Sequence, residues 1–184
     1  MTDMRISTLL GSAAILLTLT GACTNPETQS GTDAAPPASQ VHGDLRQVMR
    51  GVLFPNSNVI FAVQSTDPTT LKQAADPATA TDPLISAYGG WTAVENSALA
   101  IAESANLLTV AGRQCANGKP VPVSNPDWIK FVQELRDAGM AAFKAAQSKN
   151  QDNILEAAGV LTTACSNCHD KYREKPGGEA DRCV

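Results

Sequence analysis

Hydrophobic positions repeat with helical spacing over three long stretches of this chain and over a fourth, weaker one, and no stretch alternates as a half-buried strand does. In the first stretch, about 43–63, Leu45, Met49 and Val52 lie on one apolar face. Pro55 falls inside this stretch and predicts a kink or an interruption there.

The remaining hydrophobic patterns predict helices over about 84–110, 126–148 and 151–175. Asp82 is a candidate cap for the second helix, with Pro83 in its first turn, and Asn125 is a candidate cap for the third. The last helices are joined by short turns, which favours antiparallel neighbours. The sequence therefore predicts an all-α fold, an antiparallel four-helix bundle.

Composition agrees with that fold and narrows the function. Aromatic residues make up only 4% of the 184 residues and alanine is abundant, which favours helices. The net charge is −4 and no basic cluster is present, so we expect no nucleic-acid partner. No acid–base pair, nucleophile triad or phosphate loop is recognisable, and the sequence does not predict an enzyme.

The N-terminus predicts export from the cytoplasm. Arg5 precedes an apolar run that closes on small residues, so we interpret 1–22 as a signal segment. Cys23 follows Leu19-Thr20-Gly21-Ala22, which resembles the lipobox of bacterial lipoproteins; lipidation of Cys23 would tether the protein to a membrane, and ordinary cleavage nearby is the alternative. Residues 23–41 are polar and predict a flexible tether, and 42–184 form the predicted domain of a periplasmic protein.

The motif with the clearest chemistry is Cys165-Ser166-Asn167-Cys168-His169. On a helix, residues three and four apart are neighbours, so both thiols and the imidazole leave the same face. Cys-x-x-Cys-His is the attachment signature of haem c, with two thioether bonds and one iron ligand.

Two other sites use the same residue types. A structural zinc site needs further Cys or His ligands, yet the other histidine, His42, stands beside the tether. A thioredoxin-like redox pair belongs with a βαβ pattern, which the sequence lacks.

The segment CSNCHDKYR, residues 165–173, together with the helical region before it, resembles class II cytochromes c, the cytochrome c′ family. The resemblance implies a haem buried between the helices of a bundle, with His169 as proximal iron ligand and Cys165 and Cys168 as attachment points. It also implies that Arg46 lies near the haem propionates, and it suggests a homodimer. The chain departs from the family in Pro55, in a long insert between the first two helices and in its C-terminal tail.

The family takes its distal residue from the first helix, where Met49 is the candidate sixth ligand. Met49 as a core residue is the alternative, and Leu53 or Phe54 would then cover the iron. Met140 is expected to pack in the core, and His42 to be solvated.

Aromatic and basic residues complete the predicted site. Tyr172 is expected against the macrocycle, and Arg173 near a propionate or, as a helix-terminal cation, against the macrodipole. Other aromatic side chains are expected in the core, namely Trp91, Trp128, Phe131 and Phe143.

If Cys23 is lipidated and Cys165 and Cys168 bind haem, two cysteines remain, Cys115 and Cys183. In an exported protein they predict a disulfide that joins the C-terminal tail to the loop before the third helix, with two free thiols as the alternative.

Three functions follow from a single haem c. The first is single-electron transfer among periplasmic redox partners. The second is capture of NO or CO on an iron without a sixth ligand, and the third is a haem subunit docked on a larger dehydrogenase.

Overall fold

The structure is a computed structural model that describes residues 39–184. The predicted signal segment, Cys23 and the tether as far as residue 38 lie outside these residues. Within them the fold is all-α, as the sequence predicts: four helices are joined by loops and short 3-10 turns, and there is no strand. No helix of this part of the chain is both long and apolar enough to cross a membrane.

Helix α1 has three continuous segments, α-helical at Leu45–Val48, π-helical at Met49–Leu53 and α-helical at Phe54–Ala62. It begins with a capping box, in which Asp44 accepts from the backbone of Gln47 and the Gln47 side chain accepts from the backbone of Asp44. Of the kink or interruption predicted at Pro55, the interruption is wrong, because the helix continues through Pro55. The wider π segment directly before Pro55 accommodates a residue that has no N–H to donate.

Helix α2 covers Trp91–Ser104 and continues as a 3-10 turn over Ala105–Thr109. Its predicted start at 84 is wrong: Asp82 caps only a 3-10 turn, Pro83–Ile85. The chain then turns back so that Gly90 N donates to Leu84 O at 2.7 Å. A Cβ at Gly89 would lie 2.4 Å from that same oxygen, so the turn requires glycine.

Helices α3 and α4 cover Pro126–Gln147 and Gln151–Tyr172. Asn125 is the N-cap residue of α3, as predicted, but its side chain makes no capping hydrogen bond. The predicted end of α4 at about 175 is three residues too late. Continued α-helix would leave Tyr172 O without a donor, because the residue four further on, Pro176, has no N–H. Cys183 N, from the tail, donates to this oxygen instead.

Helix α3 packs along α2 and along α4. A Cβ at Gly139 of α3 would lie 2.8 Å from the backbone nitrogen of Ala102 in α2, so these two helices approach closely. Helices α3 and α4 run antiparallel, since Lys171 near the end of α4 forms a 2.7 Å ion pair with Asp127 at the start of α3.

Helix α1 packs mainly through its second half. Phe54–Ala62 contacts α2, and the following residue, Val63, accepts a 2.6 Å hydrogen bond from Gln151 at the start of α4. The first half of α1 and the second half of α4 do not pack closely against each other. A cavity lies between them.

Candidate functional site

The cavity between α1 and α4 has a volume of about 820 Å³ and predominantly apolar walls. Pockets that take small molecules or cofactors commonly measure roughly 300–1,000 Å³. Its size and lining therefore fit a large, mostly apolar ligand.

Helix α4 forms one wall through residues at helical spacing: Cys168, His169, Tyr172 and Arg173. Cys168 and Tyr172 are four residues apart and His169 and Tyr172 are three apart, and side chains with these spacings lie on the same side of a helix. Cys165 is partly buried against the core one turn earlier and does not line the cavity. The structure thus brings the imidazole and one of the two thiols of the motif to the cavity.

Helix α1 forms the other wall. Met49 lines the cavity from the π-helical segment, together with the apolar side chains of Leu45, Leu53 and Phe54. Among these four side chains, only the Met49 thioether is a potential iron ligand. Every distal candidate that the sequence places in α1 therefore lies on the cavity wall.

The two thiols of the motif are free. Burial raises the pKa of Cys168 to about 12, and Cys165, once it is ionised, and the carboxylates of Asp127 and Glu134 add to this effect. Burial also raises the pKa of Cys165. Both groups are therefore neutral thiols at neutral pH, whereas catalytic redox cysteines have lowered pKa values.

Burial lowers the pKa of His169, and the positive charge of Arg173 contributes in the same direction. At neutral pH the imidazole is therefore uncharged, which is the form that binds a metal. Within residues 39–184 no three His, Cys, Asp or Glu side chains converge on a common point for a metal ion. A haem iron requires only one or two protein ligands, so the donors present fit a haem.

Asp127 fixes the last turn of α4 to the first turn of α3. Its carboxylate accepts a 2.6 Å hydrogen bond from the Tyr172 hydroxyl and pairs with Lys171. These two contacts are the main reasons why the pKa of Asp127 falls to about 2. The Tyr172 ring also meets Trp128 edge-on, with the ring centroids 5.0 Å apart, and both rings line the cavity.

Sequence reasoning missed this role of Asp127. Its position after Pro126, in the first turn of a helix, was recognisable as favourable for an acidic residue. Which helix end it would face depends on the packing of α3 against α4. Asn125, the N-cap residue of α3, also contacts this turn of α4, since its amide nitrogen lies 3.5 Å from the Tyr172 hydroxyl.

Four arginines line the cavity, and three of them are paired with glutamates. Arg46 lies 2.8 Å from Glu179 and Arg182 lies 3.9 Å from the same carboxylate, while Arg173 pairs with its neighbour Glu174. The fourth is Arg50. Both basic residues that the sequence assigns to the propionates are thus at the cavity.

The tail after α4, residues 174–184, forms a further wall and is named the C-terminal strap. The predicted disulfide is confirmed: Cys183 of the strap is bonded to Cys115. Asn117 adds to this anchor, because its amide lies 2.9 to 3.2 Å from three strap carbonyl oxygens. Sequence reasoning predicted the disulfide but missed Asn117 and the strap as part of the cavity.

The remaining candidates lie away from the cavity. Met140 is 45% exposed, so the prediction that it packs in the core is wrong; it projects from the outer face of α3. His42 is exposed, as predicted. Trp91 is buried, and its indole donates to Thr69 at 2.9 Å.

No protein-family model matches this chain, and no match was found among curated proteins or among solved structures.

Proposed function

We propose that this protein is a c-type cytochrome that transfers single electrons. One haem is covalently attached to Cys165 and Cys168 on the last helix of a four-helix bundle, with His169 as its proximal iron ligand. The observation that supports this proposal most strongly is the apolar cavity that has Cys168 and His169 on one wall and Met49 on the facing wall.

Haem, when bound, supplies an iron that gains and loses one electron. The two cysteines fix its position along α4, and His169 binds the iron as an uncharged imidazole. Met49 is the distal ligand in this proposal. Leu45 and Leu53 exclude water beside it, and Trp128 and Tyr172 exclude water on the side of α4.

The charged side chains orient the haem in the cavity. Arg46 from α1 and Arg173 from α4 bind its propionates, because a guanidinium donates to a carboxylate with good geometry. We propose no catalytic role for the chain. Its partners are then other periplasmic redox proteins, with a membrane tether through Cys23, which lies outside the described residues.

Covalent attachment is tested by producing the protein in a host that matures c-type cytochromes. We expect the chain to stay red after acid–acetone extraction, and to lose the colour when Cys165 and Cys168 are both replaced by alanine. Ser166→Ala, an exposed change between the two cysteines, is the matched control and should keep the haem. A colourless wild-type chain of unmodified mass would contradict the proposal.

The distal ligand decides between electron transfer and the alternative, binding of NO or CO on an open iron. With Met49 bound to the iron, the spectrum of the reduced protein should not change under CO. Met49→Ala should then take up CO, because no other α1 side chain that lines the cavity offers a sulfur or imidazole ligand to iron. Met140→Ala is the control, since Met140 is exposed and outside the cavity. Uptake of CO by the wild-type protein would favour the gas-binding function.

A further inference from the structure

The C-terminal strap places a carboxylate on an arginine of the cavity. Glu179 lies in the 3-10 turn Gly178–Asp181 of the strap, and its Oε1 accepts from Arg46 Nη1 of α1 at 2.8 Å. Both side chains line the cavity. The ion pair therefore closes the gap between α1 and the strap at a point where a ligand's charged group would lie.

The backbone of the strap is fixed independently of this ion pair. Cys183 is bonded to Cys115, its N–H donates to Tyr172 O, and the Asn117 amide contacts the carbonyls of Glu179, Ala180 and Arg182. Release of Arg46 therefore requires only that the Glu179 side chain turns, while the strap stays in position.

The ion pair is also weak enough to be exchanged. The side chains of Arg46 and Glu179 are 38% and 48% exposed, and ion pairs this accessible to water contribute little to stability. A carboxylate delivered by a ligand that is otherwise buried in the cavity has the advantage of high effective concentration beside Arg46. It is then expected to replace Glu179.

We propose that Glu179 is a placeholder for a ligand carboxylate. It occupies Arg46 while the cavity lacks its ligand, and it gives Arg46 up to a carboxylate of the incoming group. This inference rests on the proposed function, because haem carries two propionates. It makes Glu179 a positioning residue that holds Arg46 at the cavity and competes for it with the carboxylate of a porphyrin.

The test compares two porphyrins that differ only in their carboxylates. The full chain is exported in a host that lacks cytochrome c maturation, and its affinities for haemin and for haemin dimethyl ester are measured by absorption titration. Glu179→Gln should tighten haemin binding about two- to five-fold, the range set by the small contribution of an exposed ion pair, and should leave the ester unchanged. Arg46→Gln should weaken haemin binding and also leave the ester unchanged.

The double variant identifies the route of the effect. If Glu179 acts through Arg46, adding Glu179→Gln to Arg46→Gln should have no further effect on haemin binding. Glu156→Gln is the matched control, since Glu156 is exposed on α4, outside the cavity, and has no ion pair within residues 39–184.

Three results would overturn the placeholder role: haemin binding that Glu179→Gln leaves unchanged or weakens, equal changes for haemin and its ester, or a haem-free chain that does not bind haemin at all. The proposed function fails by a different result, a colourless chain from the maturing host. The two failures are therefore distinguishable.

Discussion

Two regions of the molecule, which share helix α4, differ in how closely their helices pack. In the packed region, α2, α3 and the first half of α4 approach one another through small residues, as at Gly139 and Ala102. In the cavity region, the first half of α1 and the second half of α4 face each other across about 820 Å³. The comparison shows that one part of the fold is stabilised by side-chain contact, whereas the other depends on covalent and polar links around an open space.

The largest expected effect comes from the covalent link of the cavity region. The Cys115–Cys183 bond closes a sequence separation of 68 residues, and loss of such a loop should lower the free energy of unfolding by about 4 kcal/mol in the chain-entropy model. We expect this loss when both cysteines are replaced by serine, measured by urea unfolding. A reductant should destabilise the wild-type protein but not the variant; equal sensitivity of the two proteins would contradict the role of the bond.

A matched pair of leucines compares the two regions directly. Leu161 is fully buried in the packed region, and Leu161→Ala should cost about 3 kcal/mol. Leu53 is also buried but lines the cavity, so Leu53→Ala enlarges an existing space and should cost the haem-free chain less, about 2 kcal/mol. Equal losses in urea unfolding would mean that the cavity closes when it is empty, and the comparison would fail.

A matched pair of glycines tests how tight the packed region is. Gly139→Ala places a methyl group 2.8 Å from the Ala102 nitrogen and should destabilise the protein by about 1–3 kcal/mol. Gly159, on the open side of α4, has no atom within 4 Å of such a methyl group. Gly159→Ala should instead stabilise the protein by up to about 1 kcal/mol through helix propensity. Thermal unfolding of both variants measures the contrast, and destabilisation of both would contradict it.

The smallest expected effect concerns Asp127, which joins the two regions. Its pKa is about 2 in the folded protein, below its ordinary value of 3.8. Because a lowered carboxyl pKa stabilises the folded state above the ordinary value, this contribution should be lost as the pH falls from about 4 to about 2.

Asp127→Asn should therefore flatten the dependence of unfolding free energy on pH in that window, measured by urea unfolding at several pH values. The variant can still accept a hydrogen bond from Tyr172, so the change isolates the charge. Glu156→Gln should leave the slope as in the wild type. An unaltered slope in Asp127→Asn would show that the Lys171 contact does not stabilise the folded protein.

Much of the fold was predictable because it depends on local patterns. Helical spacing of apolar residues indicated the all-α class and the approximate positions of α1, α3 and α4. The errors fall at helix ends, where hydrogen bonds outside the helical pattern form: Gly90 N donates to Leu84 O before α2, and Cys183 N donates to Tyr172 O at the end of α4. These hydrogen bonds join residues that have no periodic relation in the sequence.

For the site, the sequence by itself determined the chemical groups and their order along α4. Cys165, Cys168 and His169 are neighbours on the surface of any α-helix, because the helical period sets which side chains are adjacent. Sequence also selected Cys115 and Cys183 as partners, since few other cysteines remained.

Only the tertiary structure decided what faces these groups. It placed Met49 and His169 on the walls of one cavity, joined Asp127 to Tyr172, and brought Glu179 from the strap onto Arg46. Such contacts depend on how helices and loops far apart in the chain pack together. The burial of apolar surface is not directional, so the apolar pattern of the sequence does not specify which residues will meet.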